Sequence, residues 1–205
     1  MRYFDAGFTA SLTAARAEGI APVYFAHFTA RDRDTGAART ISLWTGDEDI
    51  AVTVAQPGGG LVSRTYIGGC GFSIPNGIPY VGDLTDNPVT ISVSQIADAA
   101  QQLVRGYDLR LAPCEIHATS WRGGVFASAP QLQWVGVVDD GPISTPAAGS
   151  DGGISLTIRS EIMWMLGATN PTKSSDEHQK RRAPGDRFSE YGGIIGERKV
   201  TWRKD

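Results

Sequence analysis

The sequence predicts a β-rich α+β protein, a barrel or sandwich that carries two or three peripheral helices. Short runs of branched and aromatic residues recur along the chain, at Val23 to Thr29, Thr40 to Trp44, Val89 to Val93, Gln131 to Val138 and Ile154 to Arg159. Between several of them lie glycine clusters of the kind that make loops and bulges, such as Gly58-Gly59-Gly60 and Gly68-Gly69. Helical periodicity is confined to a few short segments. A chain of 205 residues, 41% hydrophobic and 20% charged, has the composition of a globular protein with a sizeable core.

In chain order, Phe4, Phe8, Leu12 and Ala15 recur at helical spacing, and Gly19 is placed as a C-cap, so a first amphipathic helix is expected within residues 1–20. Val23 to Thr29 follows as a strand, and the polar run from Arg31 to Gly36 is a hairpin turn into Thr40 to Trp44. That run lacks the further oxygen ligands and distal Glu of a calcium loop. Ile50 to Val54 and Arg64 to Ile67 are short strands among glycine loops. Val89 to Val93 alternates as a strand, Ser94 is a candidate N-cap, and Ile96, Ala99, Ala100, Leu103 and Val104 form an apolar helical stripe that stops at Gly106. Leu109 to His117 returns as a strand with Pro113 at an edge or bulge. Trp134 to Asp140 is a strand entering an acidic turn. Ile154 to Arg159 pairs back, and Glu161 to Leu166 is a short helix or strand extension whose Met163, Trp164 and Met165 suit a core or a subunit contact.

The last part of the chain has the most particular spacing. A polar run from Ser174 ends at Pro184-Gly185-Asp186. Phe188, Tyr191, Ile194 and Ile195 then recur as on one helical face, and Val200 and Trp202 alternate as in a strand. Between Lys173 and Arg187 stand five basic residues, Lys173, Lys180, Arg181, Arg182 and Arg187, against Asp176, Glu177 and Asp186. The segment therefore reads as a basic arm, a turn, a short helix and a last strand. The expected divisions are 1–20 (N-terminal helix), 21–143 (barrel with its inserted helix) and 144–205 (C-terminal strands, polar arm and docking element).

Several functions are disfavoured by composition. A net charge of −3 does not suit a protein that wraps duplex nucleic acid. Cys70 and Cys114 form no CxxC pair, so neither a structural zinc site nor another metal site is expected. His27 has no second histidine or paired carboxylate at ligand or catalytic spacing, and Asp139 and Asp140 are neighbours on a strand that point to opposite faces. No catalytic residues and no cofactor are therefore assigned, and the chain is expected not to be an enzyme. No apolar run approaches the ~20 residues of a membrane span, and the N-terminus lacks an apolar signal core, which predicts a chain made and folded in a cytoplasm without a membrane anchor.

The order Asp176, Gln179, Pro184-Gly185-Asp186, Phe188, Tyr191 and Trp202 resembles the C-terminal part of tail-tip proteins of bacteriophages and gene-transfer agents, the baseplate hub and distal tail components of long non-contractile tails. Arg203 follows the last Trp where that family usually has Gly. A second likeness runs from Thr65-Tyr66 through Val89 to Val93 and the helix to Arg105-Gly106-Tyr107 and Leu109-Arg110-Leu111. This stretch resembles the tube-like β-barrel of tail hub proteins. Trp134 to Asp140 is the third likeness, and the three together span most of the chain from about Val23 onward.

The resemblance implies a structural virion protein at the tail tip, a hub ring subunit that continues the tail tube and anchors distal components for genome ejection. A homo-oligomer ring is implied, a trimer as hub or, alternatively, a hexamer as distal tail protein, in contact with other tail proteins and with DNA passing through its bore without specific binding. Some relatives hold an iron–sulfur cluster on C-terminal cysteines, which this chain lacks. Arg181, Arg182, Arg187, Phe188, Tyr191 and Trp202 are the candidate subunit-interface residues. The rival classes are a tail-associated carbohydrate-binding module and a cell-wall-degrading enzyme.

Overall fold

The computed structural model describes residues 4–81, 85–141, 143–144, 152–167 and 175–197. The chain divides into two compact units, Met1–Leu166 and Gly167–Asp205. Four short α-helices accompany a β-rich architecture among the described residues, as the α+β expectation requires.

The first unit begins with α1 (Ala6–Glu18), capped by the Asp5 side chain, which accepts from the Gly7 amide at 2.8 Å, and closed by Gly19 at φ 77°. β1 (Ala21–Asp32) and β2 (Ala38–Trp44) form the expected hairpin, with strands longer than the apolar runs alone suggest. Its turn is built by Asp32, whose Oδ1 accepts from the amides of Asp34 and Thr35, both at 3.0 Å. β3 (Ile50–Ala55) and β4 (Leu61–Tyr66) make a separate two-stranded hairpin.

The main sheet is completed by β5 (Val89–Ser94), β6 (Tyr107–Asp108), β7 (Pro113–Arg122), β8 (Val125–Phe126), β9 (Gln131–Asp140), β10 (Ile143–Ser144) and β11 (Gly153–Ser160). Its long strands run in the order β5-β11-β9-β7-β1-β2, and every strand pair in it is antiparallel. The unit around β5 to β7 is therefore no parallel crossover. The sheet curls into half a barrel. Residues 67–73 then bridge its two edges. On the β2 side the Ile67 amide donates to Ser42 O at 2.9 Å and Ile67 O accepts from the Trp44 amide at 3.2 Å; on the β5 side Ser73 and Ser92 exchange two bonds of 2.9 Å, and the Ser94 amide donates to Cys70 O at 2.8 Å.

Strand alternation assigns the two faces. Ala26, Phe28 and Ala30 of β1, Ile41 and Leu43 of β2, Cys114 and Ile116 of β7, and the apolar residues of β5 and β11 pack into one core inside the curl. Full burial of side chains such as Phe28, Ile91 and Leu156 contributes about 1.5–3 kcal/mol each. Both cysteines are free and buried. The inside of the curl is thus filled with side chains. The opposite face carries Val23, Phe25 and Trp44 and packs against Val54 and Tyr66 of the β3–β4 hairpin. Phe25 stacks on Trp44 at 5.6 Å and meets Tyr66 edge-on at 5.0 Å.

Two local expectations are corrected. The helix after β5 is α2 (Asp98–Gln101), which widens into a π-turn over Gln102–Gly106; Ser94 remains in the strand and Ile96 is exposed, so the apolar stripe comprises Ala99, Ala100, Leu103 and Val104. Residues 109–112 are not part of a strand: Leu111 adopts φ 55°, and β7 starts only at Pro113. That position suits proline, because the first residue of a strand can spare its N–H. At the end of the unit, α3 (Glu161–Gly167) is a helix, one of the two forms expected there, and Ile162 and Met165 are exposed on it.

In the second unit, the polar run forms α4 (Asp176–Arg182), capped by Ser175, whose Oγ accepts from the His178 amide at 3.3 Å. The expected helix over Phe188 to Ile195 is instead a series of turns ending in a 3₁₀ turn, Ile195–Glu197. Gly192 and Gly193 interrupt the apolar spacing there, which disfavours a continuous helix.

Candidate functional site

Two groups of residues can do something beyond hold the fold. The first is a polar cluster on the hairpin-covered face of the main sheet. Strand register creates it: His27 of β1 lies opposite Ser42 of β2 on one side and opposite Glu115 of β7 on the other, while His117 follows Glu115 on the same face. The β3–β4 hairpin lays Arg64 over them.

The Arg64 guanidinium meets the Glu115 carboxylate at 2.5 Å, with only 11% and 18% of the two side chains exposed. His27 Nδ1 and Ser42 Oγ share a hydrogen bond of 2.7 Å. His117 Nε2 donates to the carbonyl of Ala55 at 2.8 Å, which leaves the proton off Nδ1, and Nδ1 is buried without a partner. The Tyr66 hydroxyl is also buried, within the influence of the Arg64 guanidinium. Burial, reinforced by the Arg64 and His117 charges and opposed by Glu115, pulls His27 down to about 4. Burial likewise lowers His117 and raises Tyr66. For Arg64, burial is outweighed by the hydrogen bond and charge of Glu115, which hold the guanidinium above its ordinary value.

Ser42, His27 and Glu115 share the residue types of a hydrolytic triad, but their arrangement does different work. Glu115 is engaged by Arg64, and Ser42 is 7% exposed. The cluster is a clamp. It ties both strands of the hairpin, through Ala55 and Arg64, to β7, while the His27–Ser42 bond links β1 to β2 beneath.

Sequence reasoning treated the histidines singly and missed this cluster. Its trace in the sequence is polar residues two apart inside strands, Arg64 and Tyr66 or Glu115 and His117, which share a face by the period of two.

The second group is the one expected from sequence. Arg181 and Arg182 are exposed in the last turn of α4, where positive charge complements the helix dipole. Lys180 is tied back to Asp176 at 2.7 Å. Arg187 is engaged within its own chain by a bidentate pair with Glu190, at 2.7 and 2.9 Å, so it is less available to a partner carboxylate than Arg181 and Arg182. Phe188 is 88% exposed, and Tyr191 and Ile194 also face solvent. Trp202 lies outside the described residues. The geometry therefore brings Arg181, Arg182, Phe188 and Tyr191 together only as one exposed segment.

Among the described residues no group of His, Cys, Asp and Glu is arranged to hold a metal ion, and no helix is long and apolar enough to cross a membrane. No family model matches the chain, and no curated protein matches it.

Proposed function

We propose that the chain is a non-catalytic structural subunit of a phage-type tail tip, a hub ring that continues the tail tube and anchors distal tail components while DNA passes through the bore. The observation that supports this reading is the curled antiparallel sheet whose two edges are bridged by residues 67–73, a rigid barrel-like body of the kind a ring can be built from. The polar cluster adds support, because its ion pair is spent on fastening a hairpin and its serine is covered. The exposed apolar and basic side chains of the second unit supply the contact between copies.

In this reading the protein is assembled in the host cytoplasm and resides in the virion. The trimer of a hub is favoured over the hexamer of a distal tail ring. The test is to tag the chain and image purified particles: density for the tag at the distal end of the tail is expected, and its absence from particles removes the reading.

A further inference from the structure

We infer that a groove on the first unit, lined by α1 and the neighbouring strands, receives the Phe188–Ile194 segment of a second copy of this chain. The inference rests on the ring reading above and names the surface that would make the ring.

The groove consists of two adjoining clefts. One, of about 470 Å³, is lined by Phe8 and Leu12 of α1, by Ile20 and Tyr24, and by Tyr80 and Gln133. The other, of about 420 Å³, shares Tyr80 and Gln133 and continues past Val81 and Trp134 to Ile162. At their common wall the Tyr80 hydroxyl donates to Gln133 Oε1 at 2.7 Å. Leu12, Ile20, Tyr80, Val81 and Ile162 are all exposed along this track. Clefts of this size accept side chains of the bulk of Phe and Tyr.

Two observations select the occupant. The chain itself presents a matching set of uncovered anchors, Phe188, Tyr191 and Ile194, on consecutive turns. Charge also complements: residues 1–166 carry ten Lys or Arg against sixteen Asp or Glu, whereas residues 167–205 carry nine against six. Glu161 lines the second cleft and is partly exposed, so that the exposed guanidinium of Arg181 or Arg182 from a neighbour can meet it. A segment donated from one copy to the groove of the next is a heterologous contact, which closes into a ring when the rotation between copies allows.

The experiment is complementation between two variants, read by sedimentation of the full chain. Leu12→Asp with Ile20→Asp disables the groove at two part-exposed positions, and Phe188→Ser with Tyr191→Ser disables the anchors; unchanged circular dichroism and melting verify each fold, with Ile20→Ser as the milder groove variant. The wild type is expected to associate, and each variant alone to associate at least tenfold more weakly. Their equimolar mixture should form a one-to-one heterodimer, because one intact groove and one intact segment remain. Two results overturn the inference: a groove variant that assembles like the wild type, or a mixture that stays monomeric. The first leaves the ring reading standing on another surface. Conversely, complementation by a chain that never enters tail tips supports the groove and removes the tail-tip reading.

Discussion

Replacing Glu115 by Leu should destabilise the first unit far more than replacing Glu115 and Arg64 together. In the single variant the Arg64 guanidinium, 11% exposed, stays beneath the hairpin without its counter-charge. Breaking a fully buried pair in this way costs about 3–5 kcal/mol, and the residual exposure of both side chains reduces this to about 2–3 kcal/mol. The double variant Arg64→Met, Glu115→Leu removes both charges and keeps apolar volume, so it should lie within about 1 kcal/mol of the wild type. For a unit of this size the single change corresponds to a fall in Tm of roughly 5–10 °C. Urea unfolding at neutral pH, followed by circular dichroism, measures both. Amide exchange should also accelerate selectively in Ile50–Ala55 and Leu61–Tyr66, since the pair fastens that hairpin. If the double variant lost as much as the sum of the two singles, the clamp would not be electrostatic and the reasoning would be refuted.

Further expectations concern the barrel and its histidines. Phe28→Ala, at a fully buried position inside the curl, should cost about 3–5 kcal/mol in the same unfolding assay. Gly136→Ala should cost about 1–3 kcal/mol, because its Cβ would collide with the backbone carbonyl of Arg159 on β11, which cannot swing away. His27 is held neutral by burial, with its value lowered from 6.5 to about 4, so the unfolded chain binds the proton first as pH falls. Stability should therefore be complete above about pH 6.5 and decline between there and pH 4 by up to about 3 kcal/mol from His27, and His27→Gln should make that part of the profile shallower, the remaining slope coming from His117, which burial lowers as well.

What the sequence made legible was what local chemistry determines. Gly19 closes α1, the Arg31 to Gly36 run builds a hairpin turn, and alternation marks β5, β9 and β11; these depend on neighbours in the chain. The faults fell where tertiary structure overrides spacing. Ile96 continued a helical pattern but sits before α2 in the turn that leaves β5, and the apolar Leu109 and Leu111 flank a backbone that Leu111 takes into the left-handed region. Phe188, Tyr191 and Ile194 had helical spacing, yet two glycines and an Arg187–Glu190 pair leave them on successive turns. The clamp was illegible for a different reason. It depends on His27 standing opposite both Ser42 and Glu115, a matter of strand register that no single strand encodes. The candidate interface was legible as a segment, whereas the clefts beside α1 join residues far apart in the chain and only the fold brings them together.

The central claim, that this chain is built to assemble into a tail-tip ring, is tested most directly by native mass measurement of the purified full chain over a concentration series, paired with the same measurement on tail tips released from particles. The account predicts one discrete closed species in both, three copies as a hub or six as a distal ring. A chain that stays monomeric at every concentration and is absent from the released tips would contradict it.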